Sequence, residues 1–183
     1  ERMQDVGGRL QNVLDSPGYR NEVGFQAQAW VGEVARRMNQ GAMILVDYGF
    51  PESEYYHPDR LDGTLMCHYR HTAHSDPFIH IGLQDITAHV DFSAIARAGK
   101  AAGMTLSGYA AQAQFLMSLG LLDRYQERID SVDIGVDTLS LAAEIKKLTL
   151  PHEMGELFKV MALSNNINPV LRGFGMQNLA GRL

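Results

Sequence analysis

Four polar side chains, Asp85, Thr87, His89 and Asp91, alternate with Ile86, Ala88, Val90 and Phe92. On an extended segment a period of two places all four on one side. Such a row can be a solvated strand face, with Asp91 capping a helix that begins near Phe92-Ser93-Ala94. It can equally wall a cleft, where paired carboxylates hold a cation or accept a proton and His89 titrates near neutrality. The pattern alone leaves both readings open. Two further carboxylates join the candidates. Asp47 opens an Asp47-Tyr48-Gly49 step directly after the apolar run at residues 42–46, where ligands collect in open α/β sheets. Glu22 stands just ahead of a helical pattern, where a carboxylate by default complements the helix dipole.

Other constellations carry less. His68, His71 and His74 are spaced three apart, with His57 and His80 nearby. Pro58, Gly63, Pro77 and Gly82 among them point to irregular chain rather than one helical face, so hydrogen-bonded loop histidines are expected and no metal site. A metal-dependent hydrolase using this loop stays as an alternative. Gly173-Phe174-Gly175 and Gly7-Gly8 lack the strand-to-helix context of a phosphate loop, and no Walker lysine, Gly-x-Ser-x-Gly elbow or Cys-x-x-Cys pair occurs.

The elements that must position these groups read as α/β. Residues 2–14 suggest a hairpin turning at Gly7-Gly8. Val23, Ala27, Trp30, Val31, Val34 and Met38 recur at helical spacing up to Gly41, and this predicts a helix with that face buried. The run Ala-Met-Ile-Leu-Val at 42–46 suits a strand buried on both faces, as in a parallel sheet. Residues 50–84, rich in Pro, His, Tyr and Gly with a β-like segment at 64–69, read as an ordered insertion over the site, since Phe50, Tyr55, Tyr56 and Tyr69 argue against disorder. A helix at 93–102 capped by Gly103, a strand at 105–109, a helical segment over 111–153 with a loop at 131–137, and a closing strand at 157–163 follow. The tail, 164–183, is weakly patterned.

The bulk properties set limits. With 183 residues, 45% hydrophobic and 20% charged, a chain of this size buries roughly 70% of its unfolded surface and needs no disulfides. A single cysteine, Cys67, removes a disulfide framework and a thiolate zinc site, and a reducing, cytoplasmic setting is expected. The net charge of -5 counts against nucleic acid or an anionic membrane as partner. No apolar run approaches the ~20 residues that span a bilayer.

Several strings together resemble the MidA family of S-adenosylmethionine-dependent methyltransferases. They are Tyr19-Arg20-Asn21-Glu22-Val23 with Trp30, Ile44-Leu45-Val46-Asp47-Tyr48-Gly49-Phe50, Glu54-Tyr55-Tyr56-His57-Pro58, Gly63-Thr64-Leu65-Met66-Cys67-His68-Tyr69-Arg70-His71, Gln84-Asp85-Ile86-Thr87-Ala88-His89-Val90-Asp91-Phe92 and Met154-Gly155-Glu156-Leu157-Phe158-Lys159-Val160. The resemblance implies the C-terminal half of a Rossmann-like class I methyltransferase sheet, made by residues 1–110 and 154–163, with 111–153 a helical insertion before the last strand. It implies S-adenosyl-L-methionine as cofactor, but the glycine-rich acidic motif by which the family binds it does not occur in these residues. The half that carries it is either removed or supplied outside this chain, and this chain alone is expected to be inactive.

The family's mitochondrial relatives are complex I assembly factors that methylate an arginine of a core subunit. The resemblance therefore implies a protein substrate, leaves a homodimer open, and allows a mitochondrial setting only for a eukaryotic source. Paired carboxylates are natural holders of a guanidinium, accepting its forked donors. On that reading Glu22, Asp47, Asp85, His89 and Asp91 are the catalytic candidates, and Tyr48, Gly49, Tyr69 and Thr87 the substrate-binding ones. A non-catalytic protein-interaction module is the alternative of a different class.

Overall fold

Residue 10 and residues 16–131, 136–167 and 171–183 are described by a computed structural model. The hairpin expected at 2–14 lies outside them, Leu10 excepted. The α/β expectation holds. Helix α1 (Phe25–Arg37) leads into strand β1 (Gly41–Phe50) and a one-turn helix α2 (Glu52–Tyr55). Three short strands, β2 (Met66–Tyr69), β3 (Thr72–His74) and β4 (Asp85–Thr87), form a small sheet of order β3-β2-β4. Strand β5 (Val90–Asp91), helix α3 (Phe92–Ala101) and strand β6 (Thr105–Ala111) follow. Helices α4 (Gln112–Ser118), α5 (Leu121–Asp130) and α6 (Val136–Thr149) then precede strand β7 (Phe158–Asn165), so a helical segment does stand before the last strand.

The main sheet has the order β5-β1-β7-β6. Strand β7 runs antiparallel to both neighbours, from Gly41↔Asn165 to Tyr48↔Phe158 on one side and from Thr105↔Ser164 to Ala111↔Lys159 on the other. This corrects the parallel, doubly buried reading of residues 42–46. Parallel pairing of β1 is confined to Gly49↔Val90 and Phe50↔Asp91. Met43 is buried, whereas Ile44 and Val46 are 46% and 53% exposed. The core lies on one side of β1, where Val31, Ala35, Met43, Phe92, Ile95 and Leu163 pack together, and nothing described covers the other side at Ile44 and Val46. An apolar run reveals that a strand is hydrophobic on both faces; it does not reveal whether both are covered.

Helix α1 is also narrower in its burial than its spacing implied. It packs on α3 and buries Val31, Gly32 and Ala35, while Trp30 is 56% exposed. A single neighbouring helix covers one stripe, and Trp30 lies outside it. The tail departs furthest from expectation. Phe174 is buried against Ala110, Val160 and Ala162. The edge of β6 is closed by the tail: Leu179 N donates to Tyr109 O (2.6 Å), Tyr109 N to Asn178 Oδ1 (3.2 Å) and Ala111 N to Gln177 Oε1 (3.0 Å). Side-chain amides here take the place of a further strand, a means of blunting a sheet edge that hydrophobic periodicity does not register.

Candidate functional site

The site is assembled at the carboxyl end of β1. Gly49 pairs with Val90 so closely that a Cβ on it would lie 2.1 Å from Val90 O. That approach turns the chain out of the small sheet and into α3. The expected row of four is therefore broken in two: Asp85 and Thr87 belong to β4, while His89 and Asp91 sit beside β1. Alternation is maintained only while a strand stays in one sheet, and this one leaves its sheet at Ala88.

The His89 imidazole packs between two rings of β1. It stacks on Phe50 with centroids 5.1 Å apart and 17° between planes, and meets Tyr48 edge-on at 5.0 Å. Its backbone N donates to Thr64 Oγ1 (3.0 Å), and that hydroxyl donates to Glu22 Oε2 (3.0 Å). Glu22 also accepts from Thr64 N (2.9 Å) and Leu65 N (3.0 Å). Its carboxylate thus anchors the insertion to the chain ahead of α1, rather than facing the amides of that helix as a dipole partner. Gly63 makes the anchor possible, having a φ of +69° and no room for a Cβ, which would fall 2.5 Å from Glu22 Oε1.

The electrostatics follow from burial. Desolvation, reinforced by the Arg60 cation, holds the His89 imidazole below the usual histidine range, and its Nδ1 is buried without a hydrogen-bond partner among the described residues. Burial raises the Asp91 carboxyl above the usual aspartate range, even though its Oδ1 caps α3 by accepting from Ala94 N (2.9 Å) and Oδ2 lies 3.8 Å from Arg97. Burial pushes the Tyr55 phenol up to about 12, and Thr64 and Glu22 lie beside it. A pocket of about 240 Å³ joins these groups, lined by Glu22, Tyr55, His89 and Asp91 with Val23, Ala27, Val90 and Ile95 as apolar wall. Two carboxylates and a neutral imidazole in one small cavity suit a cationic side chain and can relieve it of a proton.

Of the five catalytic candidates, the structure brings Glu22, His89 and Asp91 together. Asp47 is exposed and its Oδ1 accepts from the Tyr48 amide (2.8 Å). Asp85 is exposed and pairs with His68 across the small sheet. Thr87 donates to Met66 O (3.2 Å), and Tyr69 stacks on His80 at 4.2 Å, so neither lines the pocket. Tyr48 supports His89, and Gly49 permits the close pairing. Among the described residues no three His, Cys, Asp or Glu side chains could hold a metal ion together. Sequence reasoning missed Tyr55, Thr64 and Arg60, although each lies within or beside a quoted string. A hydroxyl bridging two distant segments leaves no periodic signal.

These residues do not form a complete site for a nucleoside cofactor. The pocket is smaller than the ~300–1,000 Å³ usual for small-molecule sites. Beyond β1, Pro51 and the four residues of α2 follow rather than a glycine-rich turn into a long helix.

Comparison with known proteins points one way. Residues 1–110 match the family described as "Putative S-adenosyl-L-methionine-dependent methyltransferase". The chain is 32% identical over 146 residues to the mitochondrial protein arginine methyltransferase NDUFAF7 of Mus musculus, covering 78% of this chain and 31% of that protein. A COG1565 superfamily member from Burkholderia thailandensis, solved with S-adenosyl-homocysteine bound, superimposes with a TM-score of 0.90 at 45% identity, covering 98% of this chain and 46% of that one. A native structure of a COG1565 superfamily protein from the same organism gives 0.90 at 44%, covering 98% and 48%. The chain thus spans about half the length of these structures and under a third of the curated relative. No described helix is long and apolar enough to cross a membrane.

Proposed function

The chain belongs to this family of S-adenosyl-L-methionine-dependent methyltransferases, and from that premise we propose that it supplies the substrate-facing part of an enzyme that methylates a protein side chain, arginine in particular. The observation that carries the reading is the pocket in which Glu22, Asp91 and Tyr55 converge at the end of β1 with His89, whose Nδ1 has no hydrogen-bond partner among the described residues. The name of the mouse relative supports arginine, and the bound product in the Burkholderia structure supports the cofactor. When bound, the cofactor supplies an electrophilic methyl group.

The residues of this chain have a different task. Asp91 and Glu22 give the pocket its negative character, which favours a guanidinium over a neutral amide. The His89 imidazole accepts a proton from the nitrogen that becomes methylated. Since Glu22 already accepts three hydrogen bonds from the insertion, its main part is to hold the wall in place. A cytoplasmic setting, argued from the single buried thiol of Cys67, belongs to the same proposal.

The test is a methyl-transfer assay with the complete protein, radiolabelled S-adenosylmethionine and arginine-containing protein, followed by amino-acid analysis for methylarginine. His89→Ala and Asp91→Asn should each lose most of the transfer, and Asp85→Asn should retain it. Equal loss in all three, or none, would refute the assignment. A second reading, a protein-interaction module, is favoured by the ridge at Phe78, Ile81 and Leu83, which are 80%, 75% and 70% exposed. Calorimetry separates the two, since a module would bind no S-adenosylmethionine even in the complete protein.

A further inference from the structure

Five side chains stack in a line across the end of the sheet. The Arg60 guanidinium lies 4.6 Å from the Phe50 ring centroid. Phe50 stacks on His89, His89 meets Tyr48, and Tyr48 meets Phe158 edge-on at 5.7 Å. Arg60 and His89 thus both pack on the Phe50 ring, and the His89 Nδ1 beside it has no hydrogen-bond partner among the described residues. We propose that Arg60 is a positioning residue, which acts through the Phe50 ring to orient the His89 imidazole and to hold it as a neutral proton acceptor.

Two physical effects support this. A cation over an aromatic face is attracted by the ring quadrupole and fixes the ring beneath it, so Arg60 holds in place the Phe50 ring on which His89 stacks. The same positive charge disfavours a second one nearby. Arg60 stands second only to burial among the causes that keep the imidazole below its ordinary range. Around His89, Glu22 and Asp47 act in the opposite sense. Among the described residues, Asp91, Tyr48 and Tyr55 are the other titratable groups that face it, from β5, β1 and α2. Without Arg60, burial alone would hold the imidazole down against the Glu22 and Asp47 carboxylates, which favour its protonation.

Arg60 is free to play this part. No carboxylate among the described residues lies within ion-pair distance of its guanidinium, in contrast to Arg20, Arg97 and Arg182, which pair with Asp62, Glu52 and Glu54. Its backbone is fixed, since Arg60 N donates to His57 O (2.9 Å) and Gly63 N to Arg60 O (3.3 Å), in the turn that Glu22 anchors. The anchor and the clamp thus belong to one device, by which the insertion presents a cation to the Phe50 ring.

The inference rests on His89 being the acceptor of the proposed transfer, yet its test does not need the reaction. The His89 titration is followed by NMR in the complete protein with its histidines labelled at Cε1, with His89→Gln identifying the resonance. Arg60→Gln should move the midpoint upward, and Arg60→Lys should leave it near the wild-type value. Arg60→Met, which retains the apolar stem, serves as the neutral variant if the glutamine chain does not fold. An unchanged midpoint in the neutral variant, or an equal rise in the lysine and neutral variants, would overturn the proposal. Failure of the methyl-transfer reading appears separately, as no methylarginine in an assay where the titration shift is nonetheless seen.

Discussion

Asp91 has two duties that pull its ionisation in opposite directions. As the cap of α3 and neighbour of Arg97 it is favoured charged, and as a side chain with 9% exposure it is favoured neutral. Burial is the larger effect, so its folded pKa stands above the unfolded value. The folded state then binds the extra proton, and stability falls as pH rises through the range from about 4 upward. Asn caps a helix as well as Asp does. Asp91→Asn should therefore compare more favourably with wild type in melting temperature at pH 7 than at pH 4, while methyl transfer by the complete protein is lost. A worse comparison at pH 7 would contradict the burial argument. For His89 the sign reverses. A folded pKa below about 6.5 means that its contribution is complete above that value and is lost as pH falls through the folded pKa. Thr64 can be tested for the link it makes: Thr64→Val keeps the shape, but removes the donor to Glu22 and the acceptor of His89 N. A loss of about 1–3 kcal/mol in denaturant unfolding is expected.

At the level of elements, the site depends on how tightly β5 is drawn against β1. Gly49→Ala must push Val90 O away from its 2.1 Å approach to the new Cβ. A loss of about 3 kcal/mol follows, at the upper end for overpacking, together with loss of the His89 ring stack from aromatic-shifted NMR signals. The edge of β6 is held less strictly. Asn178→Ala removes the acceptor of Tyr109 N, with a cost of about 1–2 kcal/mol. Most elements were legible in the sequence. Helix α3, with Asp91 before it and Gly103 after it, carries both its start and stop signals, and β6 and β7 are plain β-rich runs between turn residues. In the segment 85–92 the alternation continues unbroken while the chain changes sheets, so it shows Asp91 as the cap of α3 but not the break in the row. Pairing partners, not side-chain period, define where a strand ends.

For the whole molecule, the uneven coverage of the main sheet matters most. Among the described residues, β1 pairs through β7 along residues 41–48 and has no partner on its other edge there. Ile44 and Val46 stand exposed on the same strand. An open edge next to exposed aliphatic side chains invites association. Ile44→Lys with Val46→Lys should lower light scattering of the isolated chain at a given concentration without shifting its melting temperature by more than a few degrees. Unchanged scattering would mean that the strand is shielded in solution.

The amino-acid sequence by itself determined the α/β class, the place of the helical segment before the last strand and the family. These depend on local propensity, capping residues and specific strings, all readable within a few positions. It also placed His89, Asp91 and Glu22 among the candidates on grounds of residue chemistry. Only the tertiary structure decided which candidates meet: Glu22 reaches His89 through Thr64 from 67 positions away in the chain, while Asp85, four positions from His89, lies in the small sheet and outside the pocket. The reason is that a binding pocket is formed by long-range closure. A carboxylate accepting from the Thr64 hydroxyl and a glycine without space for a Cβ set these distances, and neither leaves a mark in the periodicity of the segments it joins.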